Sequence, residues 1–279
     1  MGFKTLMTVV RRPEIDSACL SAAADLCEAW DGHLGVVALG TDRIQPGAYY
    51  AGAAAVSIQM TMQDALDDAK AAEVAARGLL EGRLCGWETK AAVAQIGAVG
   101  QIVGRHAGLS DLVVLPTPYG DDRTVEDVAI VEAALFSTRT PVLILPEGAK
   151  MQPAPKRIIA AWNQSAEALT AIRAALPLLQ SAEVVDITII DPPEHDPDRS
   201  DPGGQLAEML SRHGVRAEIS VLARTLPRIS DVIRRHVTDT NSDMVVMGAY
   251  GHSRFREAIL GGATRNMLAD TDTPVLMAH

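Results

Sequence analysis

Aromatic residues are scarce. Three Phe, four Tyr and three Trp make up 4% of the 279 residues, too few for the stacking platforms that hold single-stranded nucleic acid. Positive charge is short as well: 25 Lys and Arg stand against 35 Asp and Glu, a formal net charge of −10 with a pI near 5.1. Such a chain has no basic field to release counterions from nucleic acid or to draw it to an anionic membrane. No apolar run approaches the ~18 residues that a membrane span requires. The start, Met1-Gly2-Phe3-Lys4-Thr5, leads through a strand-like stretch to Arg11-Arg12-Pro13, without the apolar region and cleavage site of a secretory signal. A cytoplasmic protein is expected. Cysteine is limited to Cys19, Cys27 and Cys85, with no metal-ligand spacing. Cys19 and Cys27 fall on one helix among Ala and Leu, and all three are expected as buried, reduced thiols. The phosphate loop G-x-x-x-x-G-K-[ST] is missing, and no G-x-G-x-x-G follows a strand. Conventional ATPases and dinucleotide dehydrogenases are thereby excluded.

What is present is apolar, and it is written twice. Hydrophobic residues make up 48% of the chain, enough for two cores of ordinary size. Ser110-Asp111-Leu112-Val113-Val114-Leu115-Pro116 matches Ser242-Asp243-Met244-Val245-Val246-Met247-Gly248. Thr140-Pro141-Val142-Leu143-Ile144-Leu145 matches Thr273-Pro274-Val275-Leu276-Met277-Ala278. Both pairs are displaced by roughly 132 residues, far beyond the period of a solenoid and consistent with duplication of a whole domain. Between the copies, the Pro-, Gly- and charge-containing stretch 146–156 reads as a linker. The expected domains are 1–147 and 155–279. In the second copy, strand signals at 157–161, 184–190, 217–222, 243–247 and 274–278 alternate with helical spacing: Leu169, Ile172, Leu176 and Leu179; Leu206, Met209, Leu210 and His213; Leu226, Ile229, Ile233 and His236. The first copy keeps the same order. Runs such as Met244–Met247 suit strands buried on both faces. The expected fold class is α/β: two Rossmann-like parallel-sheet sandwiches in tandem, paired through their last strands, 141–145 against 274–278. Such pairing would cover two open sheet edges.

Ligands of parallel sheets sit beyond the carboxyl ends of the strands. There the second copy carries Gly248-x2-Gly251-x9-Gly261, glycines that let backbone N–H groups approach anionic oxygens, with a helix opening behind them. With this motif the sequence resembles the universal stress protein family in its tandem two-domain form. The resemblance implies a Rossmann-like fold of the adenine nucleotide alpha hydrolase type, binding of ATP or AMP with magnesium bridging the phosphates, and a role in stress survival. It implies a site as follows: Asn163 and Ser165 near the adenosine, Met247 and Gly248 under base and ribose, Gly251, Gly261, Gly262, Ala263 and Thr264 around the phosphates. His252, Ser253 and Arg254 fill the loop after Gly251, within reach of phosphate oxygens.

The chain departs from the family pattern in three places. Gly262 stands where the family has Ser or Thr, removing a donor to a charged phosphate at a cost of about 1.5–3 kcal/mol; Thr264 is a partial substitute. Asn163 stands where the family usually has Asp. In the first copy Pro116 replaces the first glycine, and a residue with fixed φ and no N–H cannot form the same cradle. The first copy is expected to be structural. Gly251-His252-Ser253-Arg254-Phe255 imitates a nucleophile elbow, but Phe255 replaces its last glycine, and only one strand follows to place the downstream Asp270, Asp272 and His279 as acid and base. The acidic run 191–198 reads as a solvated loop, Asp121-Asp122-Arg123 as surface, and His33, His106, His213 and His236 as structural. Without a general base, slow or no hydrolysis is expected. The primary reading is a non-enzymatic sensor or regulator with an adenine nucleotide as partner, intramolecular domain pairing and room for assembly into a homodimer; the alternatives are a nucleotide-free scaffold for a protein or hydrophobic small molecule, and a slow ATPase.

Overall fold

The computed structural model describes residues 2–42, 55–149, 151–192, 201–249 and 262–279. They form two compact units, Phe3–Thr140 and Pro141–His279. The first runs β1 (Thr5–Val10), α1 (Pro13–Ala29), β2 (His33–Asp42), α2 (Ala55–Leu80), β3 (Gly86–Gln95), α3 (Val99–Ala107), β4 (Leu112–Pro116) and α4 (Val125–Thr138). Its sheet has the order β3-β2-β1-β4, with all neighbours parallel. The second unit runs β5 (Val142–Leu145), β6 (Arg157–Ala161), α5 (Ala166–Ala174), α6 (Leu176–Leu179), β7 (Val184–Ile190), α7 (Gly204–Arg212), β8 (Ala217–Leu222), α8 (Ile229–Thr240), β9 (Met244–Gly248), α9 (Gly262–Asp270) and β10 (Val275–Ala278). Its order is β5-β10-β9-β6-β7-β8. All of its pairs are parallel except β5 with β10, where Val142 faces Met277 and Ile144 faces Val275 in antiparallel register. The last strand of the first sequence copy thus closes the sheet of the second unit beside β10.

The apolar runs are the central strands. Leu112 to Leu115, Val142 to Leu145 and Val275 to Ala278 are buried throughout, as strands covered on both faces must be. The repeated Ser-Asp pair has the same task in each unit. Asp111 Oδ2 accepts the backbone N–H groups of Lys4 and Thr5, both at 2.9 Å. Asp243 Oδ2 accepts those of Lys156 at 2.7 Å and Arg157 at 3.0 Å. Each carboxylate pins the start of a central strand to its neighbour, a charge-assisted bond to backbone, and so sets where that strand ends and the site begins.

Helix boundaries follow local chemistry. Pro13 opens α1, where a missing N–H costs nothing. A capping box of Thr124 and Asp127 opens α4, and α8 ends at Asn241 in the left-handed region, φ 51°. The helical spacing read through 169–179 is broken in two: α5 stops at Ala174 and Pro177 sits in the first turn of α6, since proline cannot continue the hydrogen-bond ladder of a helix. The spacing that began at Leu226 becomes helical only from Ile229. Among the described residues no helix is long and apolar enough to cross a membrane.

Candidate functional site

In the second unit β6 and β9 are adjacent and parallel, Ala160 opposite Val246, so the segments leaving both strands emerge together at the carboxyl end. After β6 comes Trp162, whose N–H reaches Thr188 O at 2.9 Å. Asn163 and Gln164 follow, both exposed, with Gln164 at φ 62°. Asn163 Oδ1 accepts the N–H of Ser165 at 3.2 Å, and Ser165 Oγ accepts the N–H of Ala168 at 3.1 Å as the N-cap of α5. This Asx turn and cap fix the path from strand into helix. Asn163 is held by its carbonyl oxygen, which leaves its amide N–H groups for a ligand.

Gly248 is the last residue of β9 rather than the first of the loop. A Cβ on it would stand 2.5 Å from Ala168 N and 2.7 Å from Glu167 C. Backbone cannot yield as a side chain tip can, so only glycine lets the first turn of α5 lie directly on the end of β9. That packing brings Asn163, Ser165 and Gly248 to one place. Met247, beside Gly248, is buried at 6% exposure. Beyond it, Ala249 donates to Ala278 O at 2.9 Å, and its own carbonyl meets His279 Nδ1 at 2.9 Å.

The opposite side of the site is the start of α9. Because β9 and β10 are parallel, the crossover between them must begin at the carboxyl end of β9, and α9 presents its N-terminus there. Its first turn holds no acidic residue. Gly262 is exposed, Ala263 half-buried, and Thr264 buried at 4% exposure; a Cβ on Gly262 would find nothing within 4 Å. Gly251, His252, Ser253, Arg254 and Gly261 lie outside the described residues, as does most of the acidic run, 193–198.

In the first unit the corresponding end is filled from within. Arg11, directly after β1, is 9% exposed. Its guanidinium meets Asp127 Oδ1 at 3.0 Å, Glu126 at 3.7 Å and Thr124 Oγ1 at 3.2 Å. Arg12 reaches Asp127 Oδ2 at 2.8 Å. The same Oδ2 accepts the Thr124 N–H at 2.7 Å and the Thr124 hydroxyl at 3.0 Å. Arg123 pairs with Asp16 at 2.8 Å, and Asp16 Oδ2 accepts the N–H groups of Arg11 and Arg12. Three guanidinium groups are thus matched by three carboxylates at the ends of β1 and β4. The space left between Arg11, Asp16, Pro116 and Asp127 is about 10 Å³, room for one water, against the several hundred Å³ that a nucleotide-sized ligand occupies. Arg123, expected on the surface, is instead a half-buried partner in this network, drawn in by the buried Asp16. The network was missed in the sequence, where Arg11-Arg12 after the first strand and the T-x-x-D of a capping box at 124–127 were its signals.

A further buried polar cluster, around Asp186, sits away from the strand ends. Asp186 on β7, 2% exposed, meets His236 Nε2 at 2.8 Å, Ser220 Oγ at 3.1 Å and Thr188 Oγ1 at 3.2 Å. His236 therefore has the structural role expected of it. Of the cysteines, Cys19 and Cys27 are buried, but Cys85 is only half-buried, since it lies in the turn that leads into β3.

Residues 155–279 match the model of the universal stress protein family. The universal stress protein Slr1230 of Synechocystis is 33% identical over 73 residues, 26% of this chain and 24% of that relative's own length, so the chain spans about a quarter of this curated relative. A universal stress protein of Archaeoglobus fulgidus superimposes with a TM-score of 0.73 over 98% of this chain and 96% of its own at 14% identity. A protein of unknown function from Pseudomonas aeruginosa does so with a TM-score of 0.60 over 99% and 92% at 13% identity. These two structures show a shared α/β fold. Residues 155–279 thus carry a universal stress protein domain, and the two copies together share the α/β fold of these structures.

Proposed function

We propose that the second unit binds an adenine nucleotide, ATP or AMP, at the carboxyl ends of β6 and β9, and that the chain is a sensor or regulator in the stress response rather than an efficient enzyme. The observation that carries this reading is the juxtaposition of the Asn163–Ser165 turn with Gly248, across from a helix end with no acidic residue in its first turn. Adenosine would lie along Asn163, Ser165, Met247 and Gly248. The phosphates would take the N–H groups of Gly262, Ala263 and Thr264, with Gly251, His252, Ser253, Arg254 and Gly261 in the connecting loop. A helix N-terminus with no acidic residue in its first turn favours an anion, and the open flank of Gly262 leaves one room. Among the described residues no group of three His, Cys, Asp or Glu side chains is arranged to hold a metal ion, so magnesium in this reading arrives with the phosphates. The first copy, 1–147, is the non-binding partner of the tandem pair.

One observation favours a second reading, a nucleotide-free interaction module: the contact of Gly248 with Ala168 accounts for that glycine without any ligand. Calorimetry with Mg-ATP and with AMP, on the wild type and on Gly251→Val, separates the two. Binding by the wild type that Gly251→Val loses supports the nucleotide reading. A folded wild type that binds neither nucleotide refutes it.

A further inference from the structure

We infer that Cys27 and Cys85 form a reversible disulfide when the protein meets a peroxide, with Cys85 the sulfur that is oxidised first. Cys27 lies in the last turns of α1 and Cys85 just before β3. The segment 83–85 is clamped along that end of α1. Arg83 bonds Asp25 and, at 2.7 Å, Ser21 Oγ; the N–H of Leu84 reaches Glu28 Oε1 at 2.8 Å; Cys85 Sγ points at Ala24 O, 3.9 Å away. Ala24 is one turn before Cys27, on the same face of the helix. Gly32, whose N–H reaches Cys27 O at 2.9 Å, immediately precedes His33, the partner of Gly86 next to Cys85. These bonds hold the segment 83–85 against the end of α1 that carries Cys27, with no covalent bond between the two thiols.

The two sulfurs differ in access. Cys85 is half-buried, beside Leu84 at 92% exposure, whereas Cys27 is fully enclosed. Burial and the neighbouring Cys85 push the Cys27 thiol up to about 12, so it does not meet an oxidant itself. Cys19 is enclosed on the same helix, and burial with Asp16 beside it pushes its thiol up to about 12. The chemistry follows this order. The Cys85 sulfur attacks one oxygen of hydrogen peroxide, the O–O bond breaks, and the released hydroxide leaves with the Cys85 proton as water. Cys85 is now a sulfenic acid. The Cys27 sulfur then attacks the Cys85 sulfur, the S–O bond breaks, and the hydroxyl leaves with the Cys27 proton as a second water. Two thiols are oxidised, one peroxide is reduced, and a dithiol reductant reverses the change.

The test is peroxide treatment of the full chain at neutral pH, followed by denaturation, alkylation and peptide mapping. The expected result is one linked peptide pair joining Cys27 to Cys85, lighter by two hydrogens and released by dithiothreitol, with Cys19 still fully alkylated. In Cys27→Ser, a sulfenic acid persists on Cys85 and is trapped by dimedone. In Cys85→Ser, Cys27 stays a free thiol at the same dose. A wild type in which Cys27 and Cys85 both remain alkylatable overturns the inference, as does a link through Cys19, or Cys85 passing to sulfinic acid while Cys27 stays reduced.

Discussion

Gly262→Ser separates a cradle from a turn. The family pattern puts a hydroxyl at this place, and this chain puts a glycine with open space around it: an added Cβ meets nothing within 4 Å. The substitution therefore brings no clash, and serine is the better helix former by roughly 0.5 kcal/mol. If the start of α9 holds phosphate, the new O–H donates to a charged oxygen, a bond worth about 1.5–3 kcal/mol, which is on the order of a tenfold to hundredfold fall in Kd. Calorimetry with Mg-ATP reads it directly, and thermal unfolding without ligand confirms that the fold is intact. The control is Gly248→Ala. Its Cβ would press on Ala168 N at 2.5 Å, so it loses stability whether or not nucleotide binds and has no power to distinguish the readings. A Gly262→Ser protein that is folded, at least as stable as the wild type, and no tighter for ATP would refute the placement of phosphate at this helix end.

Ala263→Glu places a carboxylate in the first turn of α9, where the acidic residues of α4 stand in the first unit. Unfolding midpoints should rise slightly, by about 0.5 kcal/mol in stability, while ATP affinity falls on the order of tenfold through like-charge repulsion; a drop in affinity without the rise would point to misfolding. Asp127→Ala strands Arg11 and Arg12 and opens the cap of α4, and denaturant titration should show a loss of about 3–5 kcal/mol, with ATP binding unchanged. His236→Ala removes one of the partners of buried Asp186, and the same titration should show a loss of about 1–3 kcal/mol. A fragment beginning at residue 155 lacks β5 and bares the edge of β10, so light scattering should find it dimeric or aggregated.

The fold was legible because its signals were long and redundant. Runs such as Leu112 to Leu115 and Met244 to Met247 are uninterrupted, they recur in two copies, and parallel β-α alternation leaves few topologies open. The pairing of the two last strands followed from the same repetition, and β5 lies against β10. The boundaries were less legible where one residue decides them, as Pro177 does between α5 and α6. At the site, spacing located Asn163 and Gly248 at neighbouring strand ends, but it could not reveal that Gly248 answers to the backbone of Ala168, since that contact joins residues distant in sequence. The arginine–carboxylate network of the first unit was hidden for the same reason. Arg11, Asp16, Arg123 and Asp127 come from three separate segments, and each alone reads as an ordinary surface charge.

That network also bears on why the two copies differ. A helix that begins at the carboxyl end of a parallel sheet directs unpaired N–H groups at the strand ends, and those groups need an acceptor. In α4 the third helical residue is Asp127, whose carboxylate accepts from Thr124 and from two guanidinium groups. The helix end and the guanidinium groups facing it meet carboxylates of the chain itself, and the remaining space admits a water molecule and little more. In α9 the third helical residue is Thr264, and no acid stands in the first turn. Both helix ends face the same electrostatic demand on the same scaffold. The first unit meets it with its own carboxylate, and there Pro116 stands where the second unit has Gly248. The second unit keeps the glycine spacing and lacks the carboxylate, the combination that an external anion would require.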